Sequence, residues 1–209
     1  MSEDAGRSPA ARKKRGPRKV SEKRLNNVAL HYLARYSASA DSLRRVLMRR
    51  VRRSVQTHGT DLDEGTEWVE ALLVRFQELG YLDDRAYAEN RARSLMARGT
   101  STRGIQMRLR EKGVGGGDID AALEALSESW AEPDLAAAAK LARRRRLGPY
   151  RDPELRGERR DKDLAALART GFSYDIARRV IDAEDADTLE TMAEAEEAQA
   201  GPRYEADEN

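Results

Sequence analysis

Gly80-Tyr81-Leu82-Asp83-Asp84-Arg85-Ala86-Tyr87-Ala88, followed by Gly99-Thr100-Ser101-Thr102-Arg103-Gly104-Ile105 and Leu109-Arg110-Glu111-Lys112-Gly113-Val114, is the stretch that decides how this chain folds. From Asp84 to Arg98 the apolar residues Tyr87, Ala88, Ala92 and Leu95 recur at helical spacing. A second helix is expected over Thr102–Lys112, with Ile105 and Leu109 on one face, and a third carries Ile119, Ala122/Leu123 and Leu126. Gly99 and Gly113 punctuate the joins as helix stop signals.

The same pattern extends in both directions. Upstream, Leu25, Val28/Ala29, Tyr32 and Tyr36 form one stripe, and Leu43, Val46/Leu47, Val51 and Val55 form another after the start signal Ser39-Ala40-Asp41. A polar loop over 57–66 then leads to a helix with Trp68/Val69, Leu72/Leu73, Phe76 and Leu79, stopped at Gly80. Downstream, helices are expected over 134–145, 161–169 and 174–183, with 149–160 as a connection. Leu109-x-x-x-Gly113-Val114 is echoed by Leu167-x-x-x-Gly171-Phe172 at an offset of 58 residues, so one period is one three-helix unit. The spacing predicts an all-α protein of three tandem three-helix repeats stacked into an elongated, curved array. Its parts are a flexible basic arm (1–24), repeats at 25–82, 83–131 and 132–183, and an acidic, mostly disordered tail (184–209).

Composition agrees with a helical reading and excludes several kinds of chemistry. Charged residues make up 36% and aromatics 5%, so the core must be thin and rich in Leu and Ala. There is no cysteine, and two lone histidines, His31 and His58, offer little for a metal cage or a histidine-based triad. No cofactor is expected. The absence of a long apolar run and of a signal-peptide core points to a cytoplasmic protein without a membrane partner. The formal charge of +2 hides an asymmetry: residues 1–25 sum to +6 and 182–209 to −10, leaving +6 on residues 26–181.

The constellations that could carry catalysis have simpler explanations. Gly115-Gly116-Gly117 lacks the Gly-Lys-Ser/Thr ending of a phosphate loop and follows a helix, so it reads as a joint. Asp83-Asp84 stands where a helix N-cap is needed; an enzyme using these carboxylates is the minor alternative. Tyr32, Tyr36, Trp68 and Tyr87 could form a base-stacking platform, yet all sit on apolar stripes and are assigned to the core. Arginine is more informative. Arg44, Arg45, Arg49, Arg50, Arg52 and Arg53 crowd one helix, Arg143, Arg144, Arg145 and Arg146 end another, and Arg103 and Arg108 belong to a thinner set between them. Single arginines fit solvated faces, but dense clusters repel one another when unpaired and suit a polyanion or an acidic protein face.

These residues together resemble the RecX family, regulators of the bacterial recombinase RecA. The middle unit carries the most specific likeness, in Gly80-Tyr81-Leu82-Asp83-Asp84-x-x-Tyr87-Ala88 and in Gly104-Ile105-x-x-x-Leu109-x-x-Lys112-Gly113-Val114. Ala29-x-x-Tyr32-Leu33-Ala34-Arg35-Tyr36-Ser37 and Gly171-Phe172-x-x-x-Ile176-Ala177 extend it over residues 25–183. The resemblance implies a non-enzymatic monomer that binds the RecA-type filament on single-stranded DNA. It also implies modulation, chiefly inhibition, of ATPase, filament growth and strand exchange in recombinational repair and the SOS response. The twelve arginines named above are the expected contacts, and a stand-alone helical nucleic-acid-binding protein is the alternative.

Overall fold

A computed structural model describes residues 18–197, and all regular structure among them is helical. The first unit comprises α1 (Glu22–Leu33), α2 (Ala40–His58) and α3 (Leu62–Glu78); the second α4 (Asp84–Ala97), α5 (Thr102–Glu111) and α6 (Gly116–Ser129). The third comprises α7 (Pro133–Arg145), a 3-10 turn (Gly148–Tyr150), α8 (Pro153–Ala168) and α9 (Tyr174–Ile181), and α10 (Ala186–Glu197) follows. Eight of these helices begin at a Ser or Asp whose side chain accepts an N–H of the first turn, from Ser21 and Ser39 through Ser173 and Asp185. Such caps satisfy backbone donors that the helix itself leaves unpaired. The all-α expectation is therefore met.

Two cores form. Leu25, Ala29, Leu43, Leu47, Val51, Val69 and Phe76 close the first unit on itself. The second core runs continuously from Ala88 and Ile105 through the alanine-rich α7 to Val180 and Leu189. Small side chains on α7, Ala136 to Ala139 and Ala142, are all buried, and α7 packs against α4, α9 and α10.

A repeated polar joint links the units. Ser39 Oγ caps α2 by accepting the Ser42 N–H and donates to the Lys112 carbonyl of the second unit at 2.5 Å. Ser101 Oγ caps α5 through the Gly104 N–H and donates to the Thr170 carbonyl of the third unit at 2.8 Å. Beside each serine, the next backbone N–H reaches an Asp in the first turn of the following unit: Ala40 to Asp84 and Thr102 to Asp134, both at 2.7 Å. The glycine after each accepting carbonyl is left-handed, Gly113 at φ +73° and Gly171 at φ +96°. A Cβ there would lie 2.4 Å from Asp41 Cβ and 2.7 Å from Ser101 Oγ respectively. The echoed Gly-Val and Gly-Phe pairs thus mark where units meet.

Four expectations need correction. The basic arm does not extend to residue 24: Val20 is buried, its N–H donates to Ser54 Oγ at 3.0 Å, and Ser21 starts α1. Residues 1–17 of that arm lie outside the described residues. The polar loop expected over 57–66 shrinks to 59–61, because Gly59 ends α2 at φ +62° and Asp61 caps α3 at once. Its polar residues lie largely on exposed helical surface. Most of the expected connection at 149–160 is the first half of α8, started by Asp152 with Pro153 at a position where proline's missing N–H costs nothing. The acidic tail begins with an ordered helix, α10, whose Leu189 is fully buried and which packs on α7. Residues 198–209 lie outside the described residues.

Gly171→Ala should cost at least about 1 kcal/mol, from left-handed backbone and collision at the joint. Gly117→Ala, with nothing within 4 Å of the new Cβ, should be neutral or stabilising. Equal midpoints for the two variants in urea denaturation would contradict the joint. Leu47→Ala and Leu189→Ala should each lose roughly 2–5 kcal/mol. A change below about 0.5 kcal/mol at Leu189 in the same assay would mean that α10 adds nothing to the core.

Candidate polyanion-binding surface

The arginines of α2 divide by what lies opposite them. Arg44 makes a bidentate pair with Glu70 on α3, at 2.8 and 2.7 Å, and that bond holds its guanidinium above its ordinary pKa. Arg45 pairs with Asp41 and donates to the Glu111 carbonyl of the second unit at 2.9 Å. Both are structural ties. Arg49, Arg50, Arg52 and Arg53, one to two turns further on, are exposed and have no carboxylate at ion-pair distance among the described residues. With Arg18 and Arg24, which the ordered Val20-Ser21 segment brings alongside, they line a groove of about 620 Å³ floored by Val46 and Ser54.

A second basic groove, of about 730 Å³, lies directly over the joint between the second and third units. Arg103, Arg108 and Arg110 come from α5, Arg144 and Arg145 from the end of α7, and Arg169 from the end of α8, around Thr170 and Gly171. Arg144 donates to the Arg98 carbonyl at 2.5 Å and Arg108 to Thr100 Oγ1 at 3.3 Å, which fixes their position without neutralising them. Arg143 faces α10 and pairs with Glu190 at 3.4 Å. Arg146 is the left-handed residue that ends α7, at φ 54°, and does not line the groove. A run of four arginines is therefore split by helical geometry into one tie, two groove residues and a cap.

Eight of the twelve expected contact residues thus gather in two grooves: Arg49, Arg50, Arg52 and Arg53 in one, Arg103, Arg108, Arg144 and Arg145 in the other. Arg44, Arg45, Arg143 and Arg146 do not join them. Arg18 and Arg24, assigned to the mobile arm, and Arg110 and Arg169 complete the grooves. The hydrophobic Val20 before the Ser21 cap was the available signal for the first pair. Arg169 had none, because only the meeting of the Thr170-Gly171 turn with Ser101 and Gly104 brings it in. Guanidiniums gathered around one concavity without counter-charges raise the local potential and favour an anionic ligand.

The remaining candidates are accounted for locally. Asp83 caps α4, accepting the Ala86 N–H at 2.8 Å. Asp84 is half-buried at the first joint, where burial pushes its carboxyl up against the opposing effect of the Ala40 N–H. No group of three potential metal ligands occurs among the described residues, and no helix there is long and apolar enough to cross a membrane. Tyr32, Trp68 and Tyr87 are half-buried against the two cores. Tyr36 departs from the core assignment: it is 57% exposed, with its ring 5.2 Å from that of Tyr32.

Residues 83–123 match the model of the RecX second three-helix domain. Over 188 residues the chain is 47% identical to a protein of Myxococcus xanthus named regulatory protein RecX, covering 88% of this chain and all of that one. A protein of the same name from Agrobacterium fabrum is 36% identical over 159 residues, covering 74% of this chain and 80% of its own. A crystal structure of a regulatory protein RecX superposes with a TM-score of 0.52 at 26% identity, over 77% of this chain and 71% of the other. The RecX structure from Lactobacillus salivarius gives 0.53 at 19% identity, over 83% and 97%, a likeness of fold. With the middle-unit motifs, the repeated helices and a relative matched along its whole length, the chain belongs to the RecX family.

Proposed function

We propose that the chain regulates a RecA-type recombinase by binding its filament on single-stranded DNA, lowering ATPase activity, filament growth and strand exchange. The observation that carries this reading is the pair of basic grooves, one in the first unit and one over the joint between the second and third. A chain of stacked units holding two separated cationic grooves suits an extended, repeating, acidic partner better than a small ligand. The name regulatory protein RecX, borne by its relatives, supports a regulatory role. The chain acts as a cytoplasmic monomer and needs no chemistry of its own. Binding one filament state more tightly than another changes nucleotide turnover by linkage alone.

The test is recombinase ATPase and filament assembly with charge-reversed chains. Reversing Arg49, Arg50 and Arg53 together, or Arg103, Arg110 and Arg145 together, should abolish most of the regulation while leaving thermal unfolding nearly unchanged. Arg44→Ala should do the opposite: a stability loss of up to about 1 kcal/mol, as for a partly exposed ion pair, with regulation retained. Normal regulation by both reversed variants would remove the grooves from the mechanism. Regulation lost by Arg44→Ala alone would move the contact to the other end of α2.

A further inference from the structure

We infer that the first unit contains a binding site for single-stranded nucleic acid, in which an unpaired base stacks on Tyr36 while the flanking phosphates lie on the α2 arginines. The inference deepens the proposed function, taking from it the nucleic-acid ligand, but it concerns direct contact that needs no recombinase.

Tyr36 follows the end of α1, and its N–H still donates to the Tyr32 carbonyl at 3.0 Å, so the backbone holds its position. Behind it stands the Tyr32 ring, half-buried against the first core and tilted by 44°. The exposed ring is thus backed by another that is itself anchored in the core. One exposed tyrosine by itself needs no explanation. This one, however, lines a concavity of about 480 Å³ together with His31, Arg35 and Arg50. Arg18, Arg24, Val46 and Arg50 line both this concavity and the groove along α2, so the two are continuous. A path of unneutralised guanidiniums ending at an open aromatic face is the combination by which proteins hold single strands: cations follow the phosphates, and a ring receives a base. Duplex satisfies only half of it, because its bases are already stacked on one another. An acidic protein surface would use the arginines and leave Tyr36 without a role. The groove over the second joint offers a methionine, Met107, 60% exposed, among its cations and no aromatic ring. The two grooves therefore differ in kind, and nucleic acid belongs to the first.

The test is fluorescence anisotropy of a labelled oligothymidine, as single strand and as duplex of equal length, with the full chain and no recombinase. Tyr36→Ala should weaken single-strand binding by about 5- to 150-fold, the range for loss of one base stack. It should leave duplex binding and the salt dependence unchanged. Tyr36→Phe should bind like the parent, and Arg50→Ala should flatten the salt slope by about 0.7. Unchanged single-strand binding by Tyr36→Ala, equal losses on single strand and duplex, or no binding by the parent chain would each overturn the inference. Recombinase ATPase measured in parallel separates the two readings. Retained regulation alongside any of these failures leaves the filament reading standing. A Tyr36-dependent single-strand site in a chain that regulates nothing would leave only the stacking site.

Discussion

The Ser101 hydroxyl accepts the Gly104 N–H of its own helix and donates to the Thr170 carbonyl of the next unit, while the adjacent Thr102 N–H is received by Asp134. Ser39, Lys112, Ala40 and Asp84 repeat the arrangement one unit earlier. A three-helix unit of about 50 to 60 residues has too little interior to be robust alone, and stacking is what makes such units stable. Here the stacking direction is set by two buried serines and two half-buried aspartates whose geometry tolerates little slippage, since a displaced Ser101 or Asp134 would leave partly buried donors and acceptors unpaired. Gly113 and Gly171 are required because the backbone must come within a Cβ's reach of the neighbouring unit.

The joints also position the charge. Arg45 reaches across the first joint to the Glu111 carbonyl, and Arg144 across the second to the Arg98 carbonyl. The groove containing Arg103, Arg108, Arg110, Arg145 and Arg169 exists only because α5, α7 and α8 meet there. In the first unit the corresponding order comes from Val20 and Ser54, which hold the start of α1 against α2. Identical side chains thus have different surroundings: an arginine facing Glu70 or Glu190 ties one helix to another, and one facing other arginines has no carboxylate at ion-pair distance among the described residues.

How much of this was legible follows from the range of each interaction. Helical stripes such as Leu43, Leu47 and Val51, the Ser39 and Asp83 starts, and the Gly113 and Gly171 stops are local signals that survive in a bare sequence. So does the echo between Leu109-x-x-x-Gly113 and Leu167-x-x-x-Gly171, although it does not say that the glycines face a neighbouring unit. The first half of α8 was hidden because few of its residues are apolar, and α10 because its acidic surface masks a single anchoring leucine, Leu189. The fates of Arg44, Arg143 and Arg169 were illegible for a different reason. Arg44 and Arg143 depend on carboxylates of other helices, Glu70 and Glu190, and Arg169 on packing between units, none of which composition and periodicity encode.

The central claim is that both grooves face the recombinase filament at once. Because the chain contains no cysteine, a single introduced one carries a unique fluorescent label. Labels at Gln56→Cys in the first groove, Gln106→Cys in the second and Glu124→Cys on α6 outside both can be tested against a soluble quencher, with and without filaments on single-stranded DNA. The account requires the labels at 56 and 106 to lose quencher access on filament binding while the label at 124 keeps it. Shielding at 124 with both groove labels still accessible would contradict it.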